Sequence, residues 1–195
     1  PLPAGAGRRT VGVMTMEDVY KELVEIVGAD YVSDQAEERY MYSRDPGTMS
    51  PAAPDLVAMP GSAEEVSDIM KLASSRGVPV VPMGAGLVLS GLSRALKGGI
   101  VLDLKRLDKI IEVNETSRYA VVEAGVSQGI LQSYLKKHHP GLKHSVPDAP
   151  PIATIGGNVL IHGSGHLSAA GGFHSEMLNG LEVVLPTGRV VKTGA

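Results

Sequence analysis

The sequence predicts a mixed fold of helices and strands, in which a parallel strand, helix, strand unit comes first and antiparallel hairpins follow. The parallel unit spans residues 55–82. Asp55-Leu56-Val57-Ala58-Met59-Pro60 reads as a buried strand bounded by prolines. Ser62 then caps a helix whose Val66, Ile69, Met70 and Ala73 share one apolar face and which ends at Arg76-Gly77. Val78-Pro79-Val80-Val81 is the next strand, and the length of the unit suits a right-handed parallel crossover. The antiparallel part rests on two hairpins. Glu112-Val113-Asn114 returns as residues 119–125, and residues 180–185 return as 189–194 across a two-residue turn at Thr187-Gly188.

The other elements follow in chain order. Thr15 caps a short surface helix with Glu17 and Asp18 in its first turn, Val19, Leu23, Ile26 and Val27 at helical spacing, and Gly28 at its end. A polar segment leads to Arg39-Tyr40-Met41-Tyr42-Ser43-Arg44-Asp45-Pro46-Gly47 and a Pro/Gly-rich connection that reaches Pro54. Gly98-Gly99-Ile100-Val101-Leu102-Asp103-Leu104 is a third strand. Residues 127–137 are helical, with Ile130, Leu131, Tyr134 and Leu135 inward, and His138-His139-Pro140-Gly141 ends the run. Val146-Pro147-Asp148-Ala149-Pro150-Pro151 is rigid and irregular, Ala153-Thr154-Ile155-Gly156-Gly157-Asn158 is a second glycine-rich element, and residues 162–172 form a loose stretch.

A chain of 195 residues allows one good-sized core or two small subdomains. Its 43% apolar and 20% charged residues are those of a soluble globule. A 4% aromatic share, no tryptophan and a net charge of −3 argue against nucleic acid as a partner. The absence of cysteine excludes disulfides, zinc thiolates and thiol nucleophiles. No apolar run approaches the roughly 18 residues of a membrane span, and residues 1–12 lack a signal core, so a cytoplasmic location without a transmembrane segment is expected. The first residue, Pro1, is not read as an initiator.

One stretch stands out chemically: Pro82-Met83-Gly84-Ala85-Gly86-Leu87-Val88-Leu89-Ser90-Gly91, at the carboxyl end of the crossover's second strand. Small residues after a strand expose consecutive backbone N–H groups, which surround a phosphate more closely than any side chain does. Ligands of open α/β sheets bind at that end of the strands. Taken alone, Gly84-Ala85-Gly86 is more often an ordinary tight turn.

The rest of the chain raises the phosphate reading. In order, Tyr42-Ser43-Arg44-Asp45, Pro54-Asp55-Leu56-Val57 with Pro60, Glu64-Glu65-Val66, Pro79-Val80-Val81-Pro82, the 84–91 stretch, Gly99-Ile100-Val101-Leu102-Asp103-Leu104, Val122-Glu123-Ala124-Gly125, the 153–158 element and residues 180–194 form one ordered set. That set resembles the FAD-binding domain of the vanillyl alcohol oxidase and p-cresol methylhydroxylase flavoprotein family, and within it the glycolate oxidase and D-lactate dehydrogenase type of subunit. The resemblance covers nearly everything from residue 39 onward. It implies an α+β domain in two subdomains, a small parallel sheet within residues 51–110 and a mostly antiparallel sheet with helices within 111–195. Residues 1–50 supply an N-terminal helix and connecting segment.

Under this resemblance FAD lies between the subdomains. Residues 82–91 would wrap its pyrophosphate with backbone amides and the Ser90 hydroxyl. Thr154, Ile155, Gly156, Gly157 and Asn158 would approach the diphosphate and ribityl region from the other side, and Gly163, Ser164 and Gly165 would line the flavin. Asp148 either holds backbone amides in its own turn or faces the flavin. The implied activity is hydride transfer to flavin N5 from a 2-hydroxy acid or related alcohol, or from the para side chain of a phenol. Relatives that tether flavin through this loop carry a histidine in it; this loop has none, so non-covalent FAD is implied. Leu87 stands where the family uses a small hydroxyl residue, which removes a phosphate hydrogen bond worth ~1 kcal/mol, and Val88, where the family often has a glycine, restricts the backbone. The family continues past a strand such as 189–193 into a cap domain with substrate-binding groups, so with Ala195 as the last residue the domain is expected to be incomplete and its catalytic residues stay unassigned. A partner subunit or self-association is then expected to cover open strand edges. The rival function is a non-catalytic FAD-fold subunit that acts by assembly.

Other candidates carry less. His162 and His166 have the spacing of a metal pair, but Gly163-Ser164-Gly165 between them argues against a helix, and no metal site is expected. With His174 they either line the substrate side of the flavin or are loop histidines. His138 and His139 compensate a helix end, and Lys105-Arg106 and Lys136-Lys137 are solvated faces. Arg44 and Asp45 are expected to form an ion pair pinning the N-terminal segment. No lysine and Ser/Thr pair follows the glycines as a Walker loop requires, and no Gly-x-Ser-x-Gly elbow occurs.

Overall fold

The computed structural model describes residues 15–144, 149–166 and 168–194. A four-stranded sheet is built from β1 (Val32–Ser33), β2 (Leu56–Ala58), β3 (Val80–Met83) and β4 (Ile100–Asp103) in the order β1-β2-β4-β3. β2 and β3 both run parallel to β4, Leu56 and Val80 each standing beside Ile100, while β1 pairs antiparallel with β2. The predicted parallel unit is present, with β4 inserted between its two strands. Every residue of β2 and β4 is buried, as expected of central parallel strands covered on both faces.

One face of the sheet is covered by α1 (Met16–Val27) and α3 (Ala63–Arg76), which bring Val19, Leu23, Val27, Ile69, Leu72 and Ala73 onto Leu56, Ala58, Ile100 and Leu102. Alternation in β3 and β4 sends Met83 and Val101 to the other face, beside Ala95, Val81 and Tyr42. The helix starts follow from the sequence. Thr15 and Asp18 form a capping box, Ser62 Oγ accepts from Glu65 N at 3.2 Å, and Gly77 closes α3 in the left-handed conformation. β3 runs on through Pro82-Met83, beyond the predicted end. It lies at the edge of the sheet, where a proline is tolerated. A short helix, α2 (Ala36–Met41), occupies the segment read as polar connection.

Residues beyond 104 add antiparallel pieces. β5 (Ile110–Asn114) and β6 (Tyr119–Val122) form one two-stranded sheet, and α4 (Gln128–His138), capped by Ser127, packs beside it. The buried face of α4 is Gln128, Leu131 and Leu135, joined by Val126. Ile130 and Tyr134, expected inward, are 51% and 36% exposed, because the buried stripe runs one position away from them. The second glycine-rich element forms α5 (Ile155–Leu160), the stretch expected to be loose contains α6 (Ser168–Gly171), and a 3-10 turn follows at His174–Met177.

β7 (Gly180–Val184) and β8 (Val190–Gly194) close the chain as a hairpin. Its loop holds three residues, Pro186-Thr187-Gly188, since Leu185 N donates to Arg189 O at 2.9 Å and Gly188 N to Leu185 O at 2.8 Å. Gly188, at φ 79, takes the left-handed position this loop type needs. The hairpin docks on α3: Ser67 Oγ donates to Gly188 O at 2.6 Å, and Val184 packs on the first core. Parallel and antiparallel parts together give the α+β class. Among the described residues no helix is long and apolar enough to cross a membrane.

Candidate functional site

β3 ends at Met83, whose side chain is buried and whose carbonyl accepts from Leu104 N at 2.9 Å. Pro82 is exposed in the strand and Met83 belongs to the core, so the chain leaves the sheet at Gly84. From Gly84 to Gly91 no backbone N–H donates a hydrogen bond to another described residue. Residues 84–88 are half-buried, and Leu89 and Ser90 are exposed. Sheltered backbone donors rarely go without partners. A run of free donors after a parallel strand, here with Gly86 at φ 66 and Gly91 at φ 78, is the type of backbone that anion-binding concavities are built from.

The second glycine element lies against this loop. A Cβ on Gly84 would stand 2.1 Å from Thr154 Oγ1 and 3.1 Å from its Cβ and Cγ2, so only glycine permits the approach. Thr154 is 5% exposed and caps α5 by accepting from Gly157 N at 3.2 Å. The neighbouring donors are committed: Ile155 N to Val126 O at 2.8 Å, Gly156 N to Ala124 O at 2.9 Å, Asn158 N to Thr154 O at 3.1 Å. The two elements therefore contribute differently. The 84–91 loop offers donors, and the 154–158 element offers the Thr154 side chain and a wall of small residues.

Behind α5 lies a buried polar cluster. Gly163 N donates to Asn158 O at 2.8 Å, and His174 N donates to Gly163 O at 2.9 Å. Gln128 Oε1 is hydrogen-bonded to His144 Nε2, and the His144 ring meets that of His174 edge-on at 5.5 Å. Gln128 Nε2, Asn158 Nδ2 and His174 Nδ1 are buried without a partner among the described residues. Burial, helped by the neighbouring His174, pushes His144 down to about 4, and burial also lowers His174. Gln128 was not singled out in the sequence; a polar residue heading the buried stripe of α4 was the available signal.

Gly165 N donates to Ser168 Oγ at 2.9 Å, and Ser164 is exposed. His162 has φ 54, stacks on Phe173 at 4.4 Å and is hydrogen-bonded through Nδ1 to Ser175 Oγ. Among the described residues no group of three or more His, Cys, Asp or Glu could hold a metal ion. Asp148 lies outside the described residues. The expected Arg44–Asp45 pair is not formed: Asp45 faces Arg94, with Oδ2 and Nε 3.9 Å apart, and the Arg44 guanidinium lies 5.3 Å over the Tyr40 ring. At the end of β4 the buried Asp103 accepts from Tyr42 OH at 2.6 Å and is paired with Lys105 Nζ at 3.0 Å. Burial first, then that hydrogen bond, raises the Tyr42 phenol well above its ordinary value.

The sequence and fold of the chain are shared with known proteins. An FAD binding domain model matches residues 54–194. An FAD-linked oxidoreductase of Mycobacterium tuberculosis is 33% identical over 92% of this chain and 39% of its own length. The glycolate oxidase subunit GlcD of Bacillus subtilis is 32% identical over 93% of this chain and 38% of its own. Among solved structures, 4-ethylphenol oxidase from Gulosibacter chungangensis superposes with a TM-score of 0.80 at 30% identity, over 100% of this chain and 36% of its own. The chain thus spans well under half the length of these relatives. The match across most of the described sheet, loop and hairpins, together with the unpaired amides at 84–91, shows that the chain belongs to the FAD-binding domain family, with FAD as its cofactor.

Proposed function

We propose that this chain is the FAD-holding portion of a flavin-dependent oxidoreductase that oxidises a 2-hydroxy acid or a related hydroxylated small molecule. The observation that carries the reading is the run of unpaired N–H groups at 84–91, held opposite Thr154. These amides donate to the pyrophosphate oxygens, so the dianion is held by backbone dipoles in a chain of net charge −3. The Ser90 hydroxyl adds a donor. Thr154, Gly156 and Gly157 close the far side, and Gly163, Ser164 and Gly165, backed by Asn158 and His174, border the flavin. Held there by these residues, FAD would supply the hydride acceptor for oxidation of a hydroxylated substrate. With no histidine in the loop and no cysteine in the chain, the cofactor is held without a covalent bond.

The likeness to the Bacillus subtilis glycolate oxidase subunit supports the 2-hydroxy acid class; that to 4-ethylphenol oxidase supports a para-substituted phenol as the second class. A second reading, an FAD-fold subunit acting by assembly, is favoured by one observation. The two two-stranded sheets expose Ile111, Val121, Leu181 and Val190, apolar surface that a partner chain would cover.

FAD titration of the purified chain tests the first reading. Quenching of flavin fluorescence and a visible flavin band bleached by dithionite are expected, with uptake abolished in Gly86→Asp, which sets a carboxylate against the pyrophosphate. A folded wild-type chain that takes up no FAD overturns the reading. A folded Gly86→Asp with unchanged affinity moves the site away from this loop.

A further inference from the structure

Residues 42–52 form a strap across the carboxyl end of the four-stranded sheet, outside the glycine loop. Its first end is tied to the sheet and its two ends to each other: Tyr42 OH donates to the buried Asp103, which stands beside Met83 in the β3–β4 register, and Ala52 N donates to Ser43 O at 2.9 Å. Between these ties the strap meets the second half of the loop closely. A Cβ on Gly47 would lie 2.6 Å from Leu89 O, and one on Gly91 would lie 2.6 Å from Arg94 Nη2 and 2.8 Å from Met49 Sδ.

A charge pair sits at the centre of this contact. The side chains of Arg94 and Asp45 are 4% and 1% exposed. Arg94 Nη1 donates to Ser50 O, its Nη2 lies 3.1 Å from Met49 Sδ, and Asp45 Oδ1 accepts from Gly47 N at 2.9 Å. Arg94 Nε and Asp45 Oδ2 face each other at 3.9 Å, and neither has a hydrogen-bond partner among the described residues. Each charge is thus buried with the other as its counter-ion, and removing one leaves the other uncompensated.

We propose that Asp45 and Arg94 are positioning residues for the cofactor loop: their buried pair clamps the 42–52 strap onto the 89–94 turn and so fixes where the N–H groups of residues 84–91 point. The inference rests on the reading that this loop holds the FAD pyrophosphate. Neither side chain touches the cofactor, and the pair acts through the backbone of Gly91 and Leu89.

The test uses the 195-residue chain with two readouts, the FAD dissociation constant from flavin fluorescence and hydrogen exchange of amides 84–92 without FAD. Asp45→Asn is expected to raise the dissociation constant about tenfold or more and to speed exchange at 84–92, while β2 and β4 keep their protection. Arg94→Lys, which retains the charge, is expected to perturb both less than Arg94→Gln. Asp45→Asn/Arg94→Gln buries no lone charge and carries the same readouts where a single variant does not fold. Wild-type affinity or wild-type loop exchange in a folded Asp45→Asn or double variant overturns the proposal. The cofactor reading fails separately, when wild-type chain takes up no FAD or Gly86→Asp binds it unchanged; loop exchange, measured without FAD, then still decides whether the pair clamps the loop.

Discussion

Gly84 and Thr154 hold the two glycine-rich elements together, and their contact is measurable as a coupling energy. In Gly84→Ala the new methyl carbon would lie 2.1 Å from Thr154 Oγ1, far inside any real contact, so the loop or α5 must shift. Overpacking of this kind costs about 1–3 kcal/mol. Thr154→Ala alone loses the α5 cap to Gly157 N, a cost of about 1 kcal/mol. In the double variant the hydroxyl and Cγ2 are gone and only the 3.1 Å approach to the residue 154 Cβ remains, which a few tenths of an ångström relieve. The double variant should therefore be about as stable as Thr154→Ala, with the two changes coupled by about 1–3 kcal/mol, the cost of Gly84→Ala alone. Urea unfolding of the four proteins at constant m-value measures this. Additivity within about 0.5 kcal/mol would show that the two elements are not in contact and would remove the geometric basis of the site.

Three further outcomes follow from particular contacts. Leu87→Ser returns a hydroxyl to the loop and should tighten FAD by about 5-fold, the equivalent of ~1 kcal/mol, in a fluorescence titration; unchanged affinity would mean residue 87 does not face the phosphates. His144 stays neutral in the folded chain down to about 4 against an ordinary 6.5, so the unfolded chain takes up the proton first as the pH falls. Its contribution is complete above 6.5 and is lost between 6.5 and about 4, at no more than ~1.4 kcal/mol per pH unit; His144→Gln should flatten that slope in acid unfolding, and parallel slopes would refute it. Ser67→Ala leaves Gly188 O without its buried donor and should cost about 1–2 kcal/mol, with faster hydrogen exchange in β7 and β8 than in β4.

What the sequence made legible was local. Thr15, Ser62 and Ser127 mark helix starts because a capping hydroxyl and the apolar stripe behind it lie within one turn of each other. The 84–91 loop was placed correctly after its strand because small residues follow a β-branched run. What escaped depended on distant partners. β1 is only Val32–Ser33 and exists through pairing with Val57 and Ala58. α2 has no side-chain cap to announce it. Helix α5 carries glycines early in its first turn, which mask the Thr154 cap. The counter-ion of Asp45 is Arg94, not its chain neighbour Arg44, because the fold rather than the chain order brings the strap to the loop. The meeting of Gly84 with Thr154 was expected only through the family resemblance; nothing in the spacing of the two elements announces it.

The place of β4 between β2 and β3 also dictates a sequence of events while the chain is being made. Leu56–Ala58 and Val80–Met83 leave the ribosome first, yet neither pairs with the other; β2 has only the two residues of β1 beside it, and β3 has no partner strand until Ile100–Asp103 arrives. Until that segment is delivered, the edges of β2 and β3 that β4 will fill are open. The glycine loop is synthesised in the same interval and gains its anchor only when Leu104 N reaches back to Met83 O. A nascent chain halted before residue 100 is thus an aggregation-prone species, and the glycine loop proposed to hold the cofactor is anchored by its latecomer strand.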